Sequence, residues 1–141
     1  MEQHSDRDIG IVGQFAKALD REDYRAAEQL LADCCVYDSH SSSRTAPAAI
    51  IQSYKSNGDW AAATFDSIRY ESSVEPTANG GWFVTFVDSI RHKGRHFVYK
   101  CRQLVQVDGM GKICRIDQVD LPGQKEALQT FLKDAGVARK E

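Results

Sequence analysis

Asp88 stands in the middle of Trp82-Phe83-Val84-Thr85-Phe86-Val87-Asp88-Ser89-Ile90, a run with the β-branched and aromatic content of a strand with a buried face. A carboxylate on the apolar side of such a strand loses hydration, so it needs hydrogen-bond partners or a task. The task would be proton transfer, because an apolar enclosure raises a carboxyl pKa toward the range where a general acid or base works best. Tyr99 could orient a substrate carbonyl beside it, and a converging Asp120 would favour one shared proton. Asp38 and His40 are the alternative pair: on a regular strand they share a face and would form an acid–base dyad. Each candidate also has a quieter reading. Asp88 would be hydrogen-bonded to Tyr99 or to a backbone amide, Asp120 would close its strand or cap a helix, and His40 would lie in a serine-rich, solvent-facing loop.

Hairpin arithmetic decides which way Asp88 points. A two-residue turn at Lys93-Gly94 pairs His92 with Arg95, and so sets Asp88 opposite Tyr99, Phe86 opposite Cys101 and Val84 opposite Gln103. A second turn, at Asp108-Gly109-Met110-Gly111, pairs Val107 with Lys112. It predicts Tyr99 opposite Asp120, Cys101 opposite Gln118, Gln103 opposite Ile116, and an Arg102–Asp117 cross-strand pair. One face then carries Trp82, Val84, Phe86, Ile90, Phe97, Tyr99, Cys101, Val105, Cys114 and Ile116, and it is the core side. Asp88, Gln103, Gln118 and Asp120 lie on that same face, toward one end. A face dry at one end and polar at the other reads as a pocket lining. Tyr54 and Trp60, with Trp82 and Phe86, are candidate pocket walls or ordinary core. Gln103 and Gln118 would orient a ligand or form a satisfied buried network.

The elements that must hold this face follow from local signals. Ser5 and Asp8 form a capping box before Ile9, Val12, Phe15 and Leu19, and Asp23 caps a second helix with Tyr24, Ala27 and Leu30 on one side. Cys34 to His40 reads as a short strand. Pro47 opens a third helix, which Asn57-Gly58 should stop. Strands follow at 64–74, 82–91, 95–107 and 112–120, and Pro122 opens a last helix that ends near Gly136. The order ααβαββββα is α+β: helices on one face of a curved, mainly antiparallel sheet.

The bulk properties allow a single domain over residues 1–141, with 42% hydrophobic and 27% charged residues. A net charge of −2 gives no reason to expect a nucleic-acid or membrane partner. The first residues lack the pattern of a secretory signal, which makes a cytoplasmic location the default. Cys34, Cys35, Cys101 and Cys114 lack metal or redox spacing and read as small buried residues. His92 and His96 flank a turn without a third ligand, so no metal is expected. The basic set Arg91, Lys93, Arg95, Lys100, Arg102 and Arg115 falls largely on the outer face, as a solvated surface or a dimer interface.

The element order resembles the nuclear transport factor 2-like superfamily, which includes ketosteroid isomerase-like and polyketide cyclase-like proteins. The likeness runs from Ile9 to Val137. It rests on that order, on Ala46-Pro47-Ala48-Ala49-Ile50, on the strand meander, and on the closing Asp120-Leu121-Pro122-Gly123-Gln124-Lys125-Glu126-Ala127-Leu128 with Phe131-Leu132 and Gly136-Val137. The resemblance implies a cone-shaped sheet wrapped around N-terminal helices, with a C-terminal helix and a ligand cavity at the open end. It also implies a homodimer through the outer sheet face. It places Asp38 where ketosteroid isomerase-like members carry their base. It leaves Asp88 and Tyr99 as the polar pair of the long strands, while Phe15 stands in the first helix, which has no tyrosine as an oxyanion donor. The expected activity is binding of a small apolar molecule and cofactor-free isomerisation, dehydration or cyclisation next to a carbonyl. The alternative is a non-catalytic dimeric ligand-binding or interaction module.

Overall fold

The computed structural model describes residues 6–137. The capping residue Ser5 lies outside them. The elements are α1 (Asp6–Asp20), α2 (Tyr24–Gln29), β1 (Leu31–Asp38), β2 (Ser43–Thr45), α3 (Pro47–Thr64), β3 (Ser67–Pro76), β4 (Trp82–His92), β5 (Arg95–Val107), β6 (Ile113–Val119) and α4 (Gln124–Asp134). All six strands form one curved sheet in the order β2-β1-β6-β5-β4-β3. Every neighbouring pair is antiparallel except β1 with β6. The fold is α+β, with the helices packed on one sheet face. No described helix is long and apolar enough to cross a membrane.

Helical periodicity builds the filling of the sheet. In α1, Val12, Phe15, Ala16 and Leu19 are buried, while Ile9, expected on the same stripe, is 42% exposed. They pack with Ala27, Ile50 and Ile51 against Trp82, Val84, Phe86, Val105, Ile113 and Ile116. A second cluster joins Ala61, Phe65 and Ile90 to Phe131 and Leu132 of α4. The Asp23 side chain accepts from the Ala26 amide at 3.2 Å, so the expected cap of α2 is formed.

Asn57-Gly58 does not stop α3, which runs on to Thr64. Gly58 instead makes room for another helix pair: a Cβ there would come within 2.5 Å of the Tyr24 hydroxyl. The longer α3 carries Trp60 and Ala61 back over the sheet and delays β3 to Ser67. Two further boundaries differ. His40 lies beyond the end of β1, and α4 begins at Gln124, after Gly123 with φ +83°.

The Lys93-Gly94 turn has φ of +50° and +78°, the double left-handed geometry of a tight hairpin. It yields the expected register: Asp88 opposite Tyr99, Phe86 opposite Cys101, Val84 opposite Gln103. The β5–β6 register differs from expectation. Gln103 faces Gln118 and Arg102 faces Val119, so the predicted Tyr99–Asp120 and Arg102–Asp117 pairs do not occur. Asp108 causes this: its carboxylate accepts the Met110 and Lys112 amides at 2.9 and 3.0 Å, and a bulge follows beside Val107. The displacement is two residues, an even number, so the side chains of 116–119 keep their predicted faces. At the bulge, Ile113 is fully buried in place of Cys114.

Candidate active site

Between the helices and the sheet lies a half-open cavity of about 850 Å³. Tyr54, Trp60, Phe86, Asp88, Tyr99, Gln103, Gln118, His40 and Asp120 all line it. Asp38 and Trp82 do not. Trp82 is 3% exposed and belongs to the dry end of the core. Asp38 lies on the opposite face, where its carboxylate meets Arg115 Nη2 at 3.3 Å. The Asp38–His40 dyad does not form. β1 ends at Asp38, and the following Ser39–Ser42 turn carries His40 to the cavity rim, where its Nε2 lies 3.2 Å from Asp120 Oδ2. Both partners there are mostly exposed.

Asp88 is half-buried on the cavity wall. Its cross-strand neighbours are Tyr70 on β3 and Tyr99 on β5. No hydrogen bond joins Asp88 to Tyr99, and among the described residues its carboxylate has no hydrogen-bond or ion-pair partner. Loss of hydration raises its pKa to about 6, and the nearby Asp20 carboxylate adds to the rise. Burial above all, with Cys101 and Asp88 adding to it, pushes the Tyr99 hydroxyl up to about 12, so it stays protonated and able to donate near neutral pH. Burial and Asp88 likewise hold the Cys101 thiol at about 12, which removes it as a thiolate nucleophile.

Asp20 is the member of this site that the sequence reading passed over. It closes α1, one helical turn beyond Ala16, and the i, i+4 spacing of Val12, Ala16 and Asp20 was the signal for its inward direction. Its Oδ2 accepts from the Ser72 hydroxyl at 2.6 Å, whereas Oδ1 is buried without a hydrogen-bond partner. Burial is the main reason its pKa is raised, with the Ser72 bond and Lys17 acting against it. Tyr24 and Tyr70 also line the cavity. Burial and neighbouring acids keep both phenols neutral.

At the other end of the cavity, four side chains from four elements form one hydrogen-bonded group. Tyr54 donates to Gln103 Oε1 at 2.6 Å. Gln103 Nε2 donates to the Tyr37 hydroxyl and to Gln118 Oε1, both at 3.2 Å. Tyr37 donates to Gln118 Oε1 at 3.2 Å. Tyr37, from β1, was not foreseen. The even register shift brings it into the group by setting Gln118 opposite Gln103.

Solved structures share this arrangement of sheet and helices. A polyketide cyclase candidate from Xanthomonas campestris pv. campestris superposes with a TM-score of 0.65 at 18% identity, over 92% of this chain and 96% of its own. An LEH-like epoxide hydrolase of M. tuberculosis gives 0.62 at 16% identity, over 90% and 92%. This chain has the nuclear transport factor 2-like fold. A third structure, of a Catenulispora acidiphila protein with a ketosteroid isomerase-like fold in complex with trimethylamine, gives a TM-score of 0.61 at 16% identity, over 91% and 93%. No protein-family model and no curated protein matches the sequence. At these identities the nuclear transport factor 2-like likeness carries the fold, and activity has to be argued from the site.

Proposed function

We propose that this protein binds a small, largely apolar molecule in its cavity and moves a proton next to a carbonyl, as an isomerase, dehydratase or cyclase that needs no cofactor. The observation that carries the reading is Asp88: a half-buried carboxylate on the cavity wall, without a cation, its pKa raised to about 6. A carboxylate so placed is a stronger base than one in water and still ionised near neutral pH. Asp88 would take the proton from the carbon beside the carbonyl. Tyr99 would donate a hydrogen bond to the oxygen as negative charge gathers there. Return of the proton to another carbon completes an isomerisation; its delivery to a hydroxyl on the next carbon, which leaves as water while the C=C bond forms, completes a dehydration.

The adaptor reading has less support, because Tyr54, Trp60 and Phe86 line the cavity without filling it. The named activities of two fold relatives, polyketide cyclisation and epoxide hydrolysis, also favour small-molecule chemistry. Pairing through the outer sheet face belongs to the same proposal. Val98 is 38% exposed, and sedimentation of the purified chain tests for a dimer.

The test uses 5-nitrobenzisoxazole, an apolar probe whose isoxazole ring opens when a base removes its C3–H proton, releasing a coloured phenolate. The protein should accelerate this opening, with a rate that rises with pH and levels off above about 6. Asp88→Asn should lose at least about 100-fold. Full activity in that variant would remove Asp88 from the mechanism.

A further inference from the structure

The hydrogen-bonded group at the far end of the cavity has a direction that can be derived. The Tyr54–Gln103 contact is 2.6 Å, too short for an amide N–H donor and ordinary for a hydroxyl. The atom of Gln103 that meets Tyr54 is therefore its oxygen, and its NH₂ group faces Tyr37 and Gln118. Both of those N–H bonds are spent. The atom of Gln118 that receives one of them must be an acceptor, its Oε1, which also takes the Tyr37 hydroxyl. Gln103 is 4% exposed, and its oxygen and both N–H donors are already committed to Tyr54, Tyr37 and Gln118. Gln118 lines the cavity, and its two N–H donors have no partner among the described residues.

We infer that the Gln118 side-chain amide is a built donor site for an acceptor oxygen on the ligand, a ketone or comparable lone oxygen, with Tyr54, Gln103 and Tyr37 holding it in that orientation. The site is remote from Asp88. Gln118 lies two strands across and four residues along from it, about 16 Å between Cα atoms on an ideal sheet. An oxygen bound at Gln118 is then a second polar group of the ligand, separate from the carbonyl that reacts at Asp88. The ligand class is an elongated apolar molecule with an acceptor at the end away from the reacting carbon. This rests on the cavity being a ligand site and does not require Asp88 to be a base.

The probes are 9-fluorenone and fluorene, which share one apolar skeleton and differ by the ketone oxygen. Fluorenone should bind about 3- to 10-fold more tightly, the range of one neutral hydrogen bond, and its C=O stretch should fall in frequency on binding. Gln118→Glu keeps an acceptor for Gln103 and Tyr37 but offers the ligand a carboxylate oxygen, so it should abolish both the preference and the frequency shift. Gln118→Leu should abolish them as well, and Asp88→Asn should keep them. In the unmutated protein the Gln118 side-chain NH₂ resonances should move on adding fluorenone, and those of Gln103 should stay, a check that needs no variant to fold. No binding, equal affinities, or a frequency shift that survives both Gln118 variants overturns the inference. If nitrobenzisoxazole opening still depends on Asp88 in that case, the proton-transfer reading stands alone. A fluorenone preference with no Asp88-dependent opening would leave Gln118 and remove the base.

Discussion

Two pairs of carboxylates lie one on each side of the sheet, and their surroundings differ. On the outer face Asp38 and Asp117 are register partners on β1 and β6, and Arg115 reaches both, at 3.3 and 2.9 Å. One guanidinium serves both carboxylates. On the inner face Asp20 and Asp88 approach from a helix end and a mid-strand position, with no cation between them. Only one hydroxyl, from Ser72, offers a hydrogen bond. The outer pair faces a guanidinium, while the inner pair is pushed toward the neutral acid, chiefly by burial. The contrast is a property of the environment, since the residue type is the same on both faces.

Four measurements would break or sharpen this contrast. Asp88→Asn should lower nitrobenzisoxazole opening by at least about 100-fold, and Asp38→Asn should leave it unchanged. Comparable losses in both would dissolve the distinction between the faces. Next, thermal unfolding followed across pH should separate Asp88→Asn from the parent protein. Asp88 has its pKa raised from 3.8 to about 6 on folding, so the folded chain holds this proton more tightly. The stability tied to it is present below about pH 4 and lost as pH rises through about 6. Asp88→Asn should therefore be more stable than the parent above about pH 7, by on the order of 2 kcal/mol, and equal to it near pH 4. A variant less stable at high pH would mean that Asp88 has a partner after all.

The third effect is smaller. Asp20→Asn removes a like charge, so the pH midpoint of Asp88 should fall below about 6 while remaining above 3.8, because burial is the larger cause and stays. A carbon-13 titration of the Asp88 carboxyl reads this directly; an unmoved midpoint would uncouple the two acids. The smallest effect belongs outside. Arg115→Ala should cost at most about 1 kcal/mol, and less in high salt, since the ion pair is partly exposed. A larger loss, measured by denaturant unfolding, would show that the outer network is more than a solvated surface.

Legibility divides along similar lines. The pairing of β4 with β5, and with it the position of Asp88 beside Tyr99, could be read because two left-handed residues leave a hairpin one register. The β6 register could not, because a four-residue loop can close in several ways and the Asp108 bonds choose among them. Facing survived that error, since strand alternation has a period of two. Asn57-Gly58 misled because a glycine that ends helices in isolation can also serve close helix packing, here against Tyr24. His40 lost its predicted partner when a two-residue change in where β1 ends turned its side chain toward Asp120.

Alternation and helical spacing alone determined the element types, the core face, and that a carboxylate would stand on it. They act through neighbours a few residues apart, which any segment carries with it. Tertiary packing decided what that carboxylate would meet. Asp20 is 68 positions away in sequence and arrives only because α1 lies across the sheet. Gln118 acquired its direction the same way, from Tyr37, Tyr54 and Gln103 on three other elements. Such groups titrate and bind according to solvent exclusion and charge at close range, and both are set by parts of the chain that local sequence cannot bring together.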